Sequence, residues 1–320
     1  MRTTDYDIIF LSFDEPNAEK NYSDLKHKFP SAKRVHGVVG SDAAHKACAA
    51  ISTTDHFFTI DGDNIVRPEF FNLELPEHDE TVVLSFSGRN MVNDLRYGNG
   101  SIKLWPKEYV LNMQTHENAD PANLAAQVDF CWDVTYLQIN EVYSDSHMNA
   151  KPWQAWRAGF REGVKMSLNQ GVKPTVEEFY GLYKRNLHRL YIWATIGADV
   201  PNGYYAILGA RMGLYYTMCT DWDYLNVRDF CRLNEIWLQN NINSKTVQSL
   251  CLEYGQLILD QLDVTLPCIP FDSEQSAFFK RVYRNPGRLD RQQWIDKEEL
   301  CTILFLLVTT KKMQTTITQH

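Results

Sequence analysis

The chain lacks several features that would settle its class at once. Its seven cysteines (Cys48, Cys131, Cys219, Cys231, Cys251, Cys268 and Cys301) contain no C-x-x-C pair and are odd in number. That argues against a zinc finger or a disulfide scaffold and fits a reducing compartment. Long apolar runs are missing too: the longest late one, Ile303 to Val308, is far short of the roughly 20 residues of a membrane span. The opening residues Met1 to Asp7 have no signal-peptide-type apolar core, so the expected location is the cytoplasm, with no membrane partner. There is no internal repeat and no low-complexity linker. Basic excess is absent: 32 Lys and Arg face 40 Asp and Glu, for a net charge of −8, so a polyanion would have to be met by a local patch. What is present is apolar mass, 44% of 320 residues, enough for one large domain or two smaller ones, each with its own core.

The pattern along the chain changes near residue 150. Before it, strand and helix signals alternate. Ile8 to Phe13 is an apolar run ending at Asp14, and a helix pattern follows from Ala18 to Phe29 with Pro30 as its stop. Ala32 to Val38 reads as a strand, and Ser41 to Ala50 as an alanine-rich helix that Ser41 or Asp42 would cap. The strand His56 to Ile60 comes next. Thr81 to Phe86 and Val128 to Val142 add sheet, while Arg96 to Trp105 reads as a glycine-loosened turn entering a strand. The expectation is an α/β domain over 1–150, a mostly parallel sheet flanked by helices, with ligands at the carboxyl ends of its strands. Over 151–320 the period is helical, at Val176 to Ile196, Tyr204 to Met218, Tyr224 to Leu238 and Val247 to Leu262. This region would form a packed helical half.

The most informative motif is Asp61-Gly62-Asp63-Asn64 at the end of the strand His56 to Ile60. Hard oxygens around a glycine suit a divalent cation, Mn²⁺ or Mg²⁺, that holds the diphosphate of a nucleotide donor. A solvated loop is the plain alternative. His147 is a candidate third ligand, with ordinary polar surface as its alternative. Asp129 and Asp133 flank Phe130-Cys131-Trp132 and are the best candidates for a carboxylate that deprotonates an acceptor hydroxyl, or else they are structural acids. In the segment 153–165, Trp153, Trp156, Phe160 and Val164 share one helical face, and Arg157, Arg161 and Lys165 a neighbouring one. Such a row would grip phosphates, or sit solvated and paired with Glu162. The glycines of Asn202 to Gly213 have the wrong spacing for a dinucleotide loop and suit close helix packing instead.

On these residues the N-terminal half, roughly 5–150, resembles the GT-A class of nucleotide-sugar glycosyltransferases. The matching features are the Ile8 to Asp14 strand, the Ser41 to Ala50 helix, Asp61-Gly62-Asp63 and Tyr97-Gly98-Asn99-Gly100-Ser101-Ile102. The resemblance implies Asp61 and Asp63 on Mn²⁺ or Mg²⁺, and Phe13 and Asp14 near the nucleobase of a donor, expected to be a UDP-sugar. It further implies Lys46 near ribose or phosphate and Gly100 facing the sugar or acceptor. The chain departs from many members in lacking an acidic Trp-Gly-x-Glu-Asp segment, which leaves the base and the stereochemical outcome open. The segments 156–165 and 203–211 are similar to parts of tailed-phage glycosyltransferases that decorate hydroxymethylated cytosine in DNA, including arabinosyl-transferring ones. That implies duplex DNA as partner and Trp156, Arg157 and Arg161 at the acceptor. The row Arg157, Arg161 and Lys165 with Lys184, Arg185 and Arg189, or the late Arg281, Arg284, Arg288 and Arg291, would then contact backbone phosphates. The competing readings are a glycan or protein acceptor, a nucleotidyltransferase and a non-catalytic binding protein. Against nucleotidyl transfer, Asp14-Glu15-Pro16-Asn17 is no glycine-rich phosphate loop.

Overall fold

The strand β1 (Asp7–Ser12) has Ile8 and Phe10 on one side and Ile9 on the other, all within 1% of full burial, so its sheet is covered on both faces. The computed structural model describes residues 1–129, 135–182, 184–263 and 269–282. Its contacts divide into two compact units, Met1–Ala150 and a second beginning at Lys151.

In the first unit β1 is followed by α1 (Ala18–Lys28), β2 (Lys33–His36), α2 (Ser41–Ile51), β3 (His56–Asp61) and β4 (Asn64–Val66). Then come β5 (Val83–Asn90), β6 (Arg96–Pro106), α3 (Lys107–Asn112), α4 (Leu124–Val128) and β7 (Tyr136–Ser146). One sheet orders them β2-β1-β3-β6-β5-β7-β4. The expected mostly parallel sheet is corrected here: β1–β2, β1–β3 and β5–β7 pair parallel, whereas β3–β6, β5–β6 and β4–β7 pair antiparallel. The cause is the short connection between β5 and β6, which only an antiparallel pair can use. Asn90 Oδ1 accepts the Val92 N–H (2.8 Å), Asn93 Oδ1 accepts the Leu95 N–H (3.2 Å), and Asp94 adopts φ +63°. The segment from Arg96 is strand throughout and not a turn. Ile8, Phe10, Phe58, Ile60, Phe86, Ile102 and Leu104 fill one face of this sheet; Ile9, Val35, Cys48, Phe57 and Trp105 fill the other.

The start of α2 also differs from expectation. Neither Ser41 nor Asp42 caps it; the carboxylate of Glu117 accepts the N–H groups of Ser41 (2.8 Å) and Asp42 (3.3 Å). A helix N-terminus favours negative charge, and this one draws it from a distant loop. Asp42 instead accepts from Lys46 Nζ (2.8 Å) and the Thr115 N–H (3.1 Å).

The second unit is helical: α5 (Pro152–Met166), α6 (Val176–Phe179), α7 (Lys184–Trp193), α8 (Gly203–Cys219), α9 (Phe230–Gln239), α10 (Val247–Leu262) and α11 (Ser273–Val282). The helix expected over Val176 to Ile196 is two: a Thr175/Glu178 capping box opens α6, and a turn at Gly181 ends it before α7. The one expected over Tyr224 to Leu238 breaks at Asp229, whose carboxylate takes the N–H groups of Cys231 and Arg232 and starts α9 afresh. At the centre α5 and α8 cross with backbones nearly touching. A Cβ on Gly159 would stand 2.0 Å from the Ala206 carbonyl oxygen, and one on Gly209 2.1 Å from that of Trp156. The glycines of 202–213 thus serve close packing. Beside them Arg211 is fully buried and donates to the carbonyls of Ala194 (2.8 Å) and Cys251 (2.6 Å). No helix among the described residues is long and apolar enough to cross a membrane.

Candidate functional site

Three parallel strands bring their carboxyl ends to one edge of the sheet. Leu11 pairs with Asp61 across β1 and β3, and Ser12 with His36 across β1 and β2. Because neighbouring side chains alternate between faces, Asp61 follows Phe57 and Thr59 onto the α2 face. Its charge adds to burial in pushing the Cys48 thiol up to about 12.

The loop after β3 is pinned from three sides. Asn21, buried in α1, donates to the Gly62 carbonyl (3.0 Å). The His147 N–H donates to the Asp63 carbonyl (2.7 Å), and Asn17 Nδ2 in turn donates to the His147 carbonyl (3.0 Å). Asn64 is 3% exposed: its Nδ2 donates to Asp63 Oδ1 (2.7 Å), and its Oδ1 accepts from Ser146 (2.6 Å). Asn64 thereby orients the Asp63 carboxylate. Gly62 is tight, for a Cβ there would lie 2.6 Å from Glu15 Oε2 and 2.9 Å from Ser12 Cβ. Glu15 Oε2 also accepts the Phe13 N–H (2.8 Å) and so shapes the turn after β1. Asp61 and Asp63 are both half-buried in this setting.

The other expected site residues fall as follows. Phe13, 43% exposed, and Asp14, also exposed, lie just past β1. Lys46 is half-buried on α2 and bound to Asp42. His147 is half-buried, and burial holds its imidazole below the ordinary pKa, with Asp145 opposing and Lys20 reinforcing. Among the described residues no three His, Cys, Asp or Glu side chains gather closely enough to hold a metal, so His147 does not complete a ready-made set with Asp61 and Asp63. The two aspartates alone fit Mn²⁺ or Mg²⁺ by their donor chemistry, since such ions take one or two carboxylates and complete their shell with phosphate and water. Gly100 lies within β6, and Asp129 ends α4, its N–H on the Ala125 carbonyl. Asp133 lies outside the described residues.

In the second unit Trp156 is fully buried, its ring 4.9 Å from Phe160 and 5.5 Å from Trp237, a packing position. Arg157 holds its guanidinium 4.1 Å from the centre of the Phe230 ring, Arg161 5.6 Å from the same ring, and Lys165 stands 3.9 Å from Glu162. Sequence reading missed Asn17, Asn21 and Ser146, the residues that position the aspartate loop. The four-residue spacing of Asn17, the N-cap of α1, and Asn21 within it is the one signal that would have found two of them.

No protein-family model matches the chain, and no curated protein matches it. Among solved structures it is similar to the crystal structure of a glycosyltransferase involved in the glycosylation of the major capsid of PBCV-1. That likeness covers 44% of this chain and 93% of that one, at 13% identity and a TM-score of 0.28.

Proposed function

We propose that the chain is a glycosyltransferase that moves a sugar from a nucleoside diphosphate, a UDP-sugar, to a hydroxyl acceptor. The observation that carries this is the Asp61-Gly62-Asp63 loop, anchored by Asn21, Asn64 and His147 at the strand edge where Phe13 and Asp14 also emerge. Asp61 and Asp63 would hold Mn²⁺ or Mg²⁺, with His147 beside them. When bound, such an ion offsets the charge that builds on the departing diphosphate. Phe13 and Asp14 take the nucleobase side of the donor, and Lys46 the ribose or phosphate. Gly100 faces the sugar or acceptor, and Asp129 or Asp133 receives the acceptor proton.

The favoured acceptor is the hydroxymethyl group of modified cytosine in phage DNA. Supporting it are the cation row Arg157, Arg161 and Lys165 and the resemblance of 156–165 and 203–211 to enzymes of that kind. A melting-temperature panel of UDP- and GDP-sugars, with and without Mn²⁺, tests the donor: a rise confined to one donor plus metal supports the reading. Asp61→Asn with Asp63→Asn should abolish both that rise and turnover while leaving the metal-free melting temperature close to native. A double variant with full activity refutes the site. Retention on duplex DNA at low salt, lost at moderate salt, supports the DNA acceptor; no retention turns the reading to a glycan or protein.

A further inference from the structure

The cations of α5 belong to a longer row than their charge alone suggests. Trp153, Arg157, Arg161 and Lys165 follow one another at steps of four residues, so an aromatic ring heads a line of three cations whose backbone positions are about 6 Å apart. All four side chains are half-buried. Phe230, the first residue of α9, steadies the middle of the row: the guanidinium of Arg157 lies 4.1 Å from the centre of its ring and that of Arg161 5.6 Å. Arg157 also lies 6.0 Å from the Trp153 ring. Two like charges are thus gathered on one ring. Among the described residues Arg161 Nε is shut off from water and has no hydrogen-bond partner. A guanidinium placed in this way costs stability until an anion draws on its N–H groups.

We infer that this row is a track for one unpaired DNA strand, so that the acceptor is met as a single strand and not as an intact duplex. This rests on the DNA-acceptor reading above and makes it more specific. The step along the row is close to that between successive phosphates of an extended strand, so Arg157, Arg161 and Lys165 take three phosphates in line. Trp153 then lies where the next base falls. A duplex keeps its bases stacked inside and has no use for such a ring, whereas a single strand offers the face of every base. The ring is a fixed platform, stacked on Trp156 at 5.3 Å and met edge-on by Trp237 at 5.6 Å. Charge density favours the same form. A duplex carries one negative charge per about 1.7 Å of axis, and a chain of net charge −8 with a short cationic row repels a single strand less.

Fluorescence anisotropy on the full chain, with a short labelled strand and with the duplex of the same sequence over a range of salt, tests this. The native chain should bind the single strand about tenfold more tightly, the scale of one base stacked on an aromatic ring. Its affinity should fall with salt at a log–log slope of about 2, as three phosphate contacts on a single strand require. Arg161→Gln should lower that slope by about 0.7. Trp153→Leu should weaken the single strand about tenfold and leave the slope unchanged. Should Trp153→Leu fail to fold, the slope of Arg161→Gln still decides, since Arg161 lies off the tryptophan cluster. A native slope in Arg161→Gln overturns the assignment of the row. Duplex bound as tightly as the single strand overturns the inference and leaves the DNA acceptor standing; a native chain that binds neither at low salt overturns both.

Discussion

Gly62→Ala puts the geometry of the aspartate loop to a direct test. The new methyl group would stand 2.9 Å from Ser12 Cβ and 2.6 Å from Glu15 Oε2. Carbon atoms settle at about 3.5–4.0 Å, so at least about 0.6 Å must be found at Ser12. Glu15 can swing aside at the loss of its bond to the Phe13 N–H. Ser12 cannot, since its Cβ is fixed to a strand paired on both sides. Overpacking of this kind costs about 1–3 kcal/mol. At about 2–4 °C per kcal/mol for a unit of this size, the melting temperature should fall by about 2–12 °C. The displaced strand end carries Ser12 and Phe13, so nucleotide affinity should fall along with it. Differential scanning calorimetry and UDP titration on the same preparation read both effects. A variant that melts within about 1 °C of the native chain and binds UDP equally well would refute the close packing on which the site depends.

In the helical unit, Gly159→Ala forces a methyl group to 2.0 Å from the Ala206 carbonyl oxygen. The helix-propensity gain of about 1 kcal/mol will not offset helix separation, and urea unfolding should show net destabilisation of about 2 kcal/mol; a stabilised variant would contradict the packing. Burial lowers the pKa of His45 and of His188 to about 4, with the charges of Lys103 and Arg189 reinforcing it respectively. The unfolded chain takes up these protons near 6.5, so the stability gained from neutral burial is complete above that pH and lost as pH falls toward 4. Between pH 7.5 and 5.5 each histidine should cost on the order of 1 kcal/mol, and replacing both by Asn should flatten the slope of the urea midpoint against pH. An unchanged slope would show that neither ring is desolvated.

What was legible in the sequence was local. The strand at His56 to Asp61 and the helix Val247–Leu262 stand where apolar spacing placed them, because burial of one face or both imposes a period on neighbouring residues. The sheet's mixed direction escaped because the β5–β6 turn carries no Asn-Gly or Asp-Gly signal. Its reversal is made by the side chains of Asn90 and Asn93 and by Asp94 at positive φ. The breaks at Gly181 and Asp229 hid inside stretches whose apolar period runs on across them.

The candidate site divides in the same way. Asp61 and Asp63 are visible as a triplet, but what holds them is far away in the chain: Asn21 meets Gly62 across 41 residues, and Ser146 meets Asn64 across 82. A buried amide has no period to follow, since it sits wherever an orphaned backbone group or neighbouring amide needs a partner. His147 is the sharpest instance. Sequence reading drew attention to its imidazole as a ligand, whereas the contact that joins it to the loop is its backbone N–H on the Asp63 carbonyl. A His147→Ala chain should therefore keep the loop in place, and any loss of metal-dependent donor binding in it would belong to the ring alone.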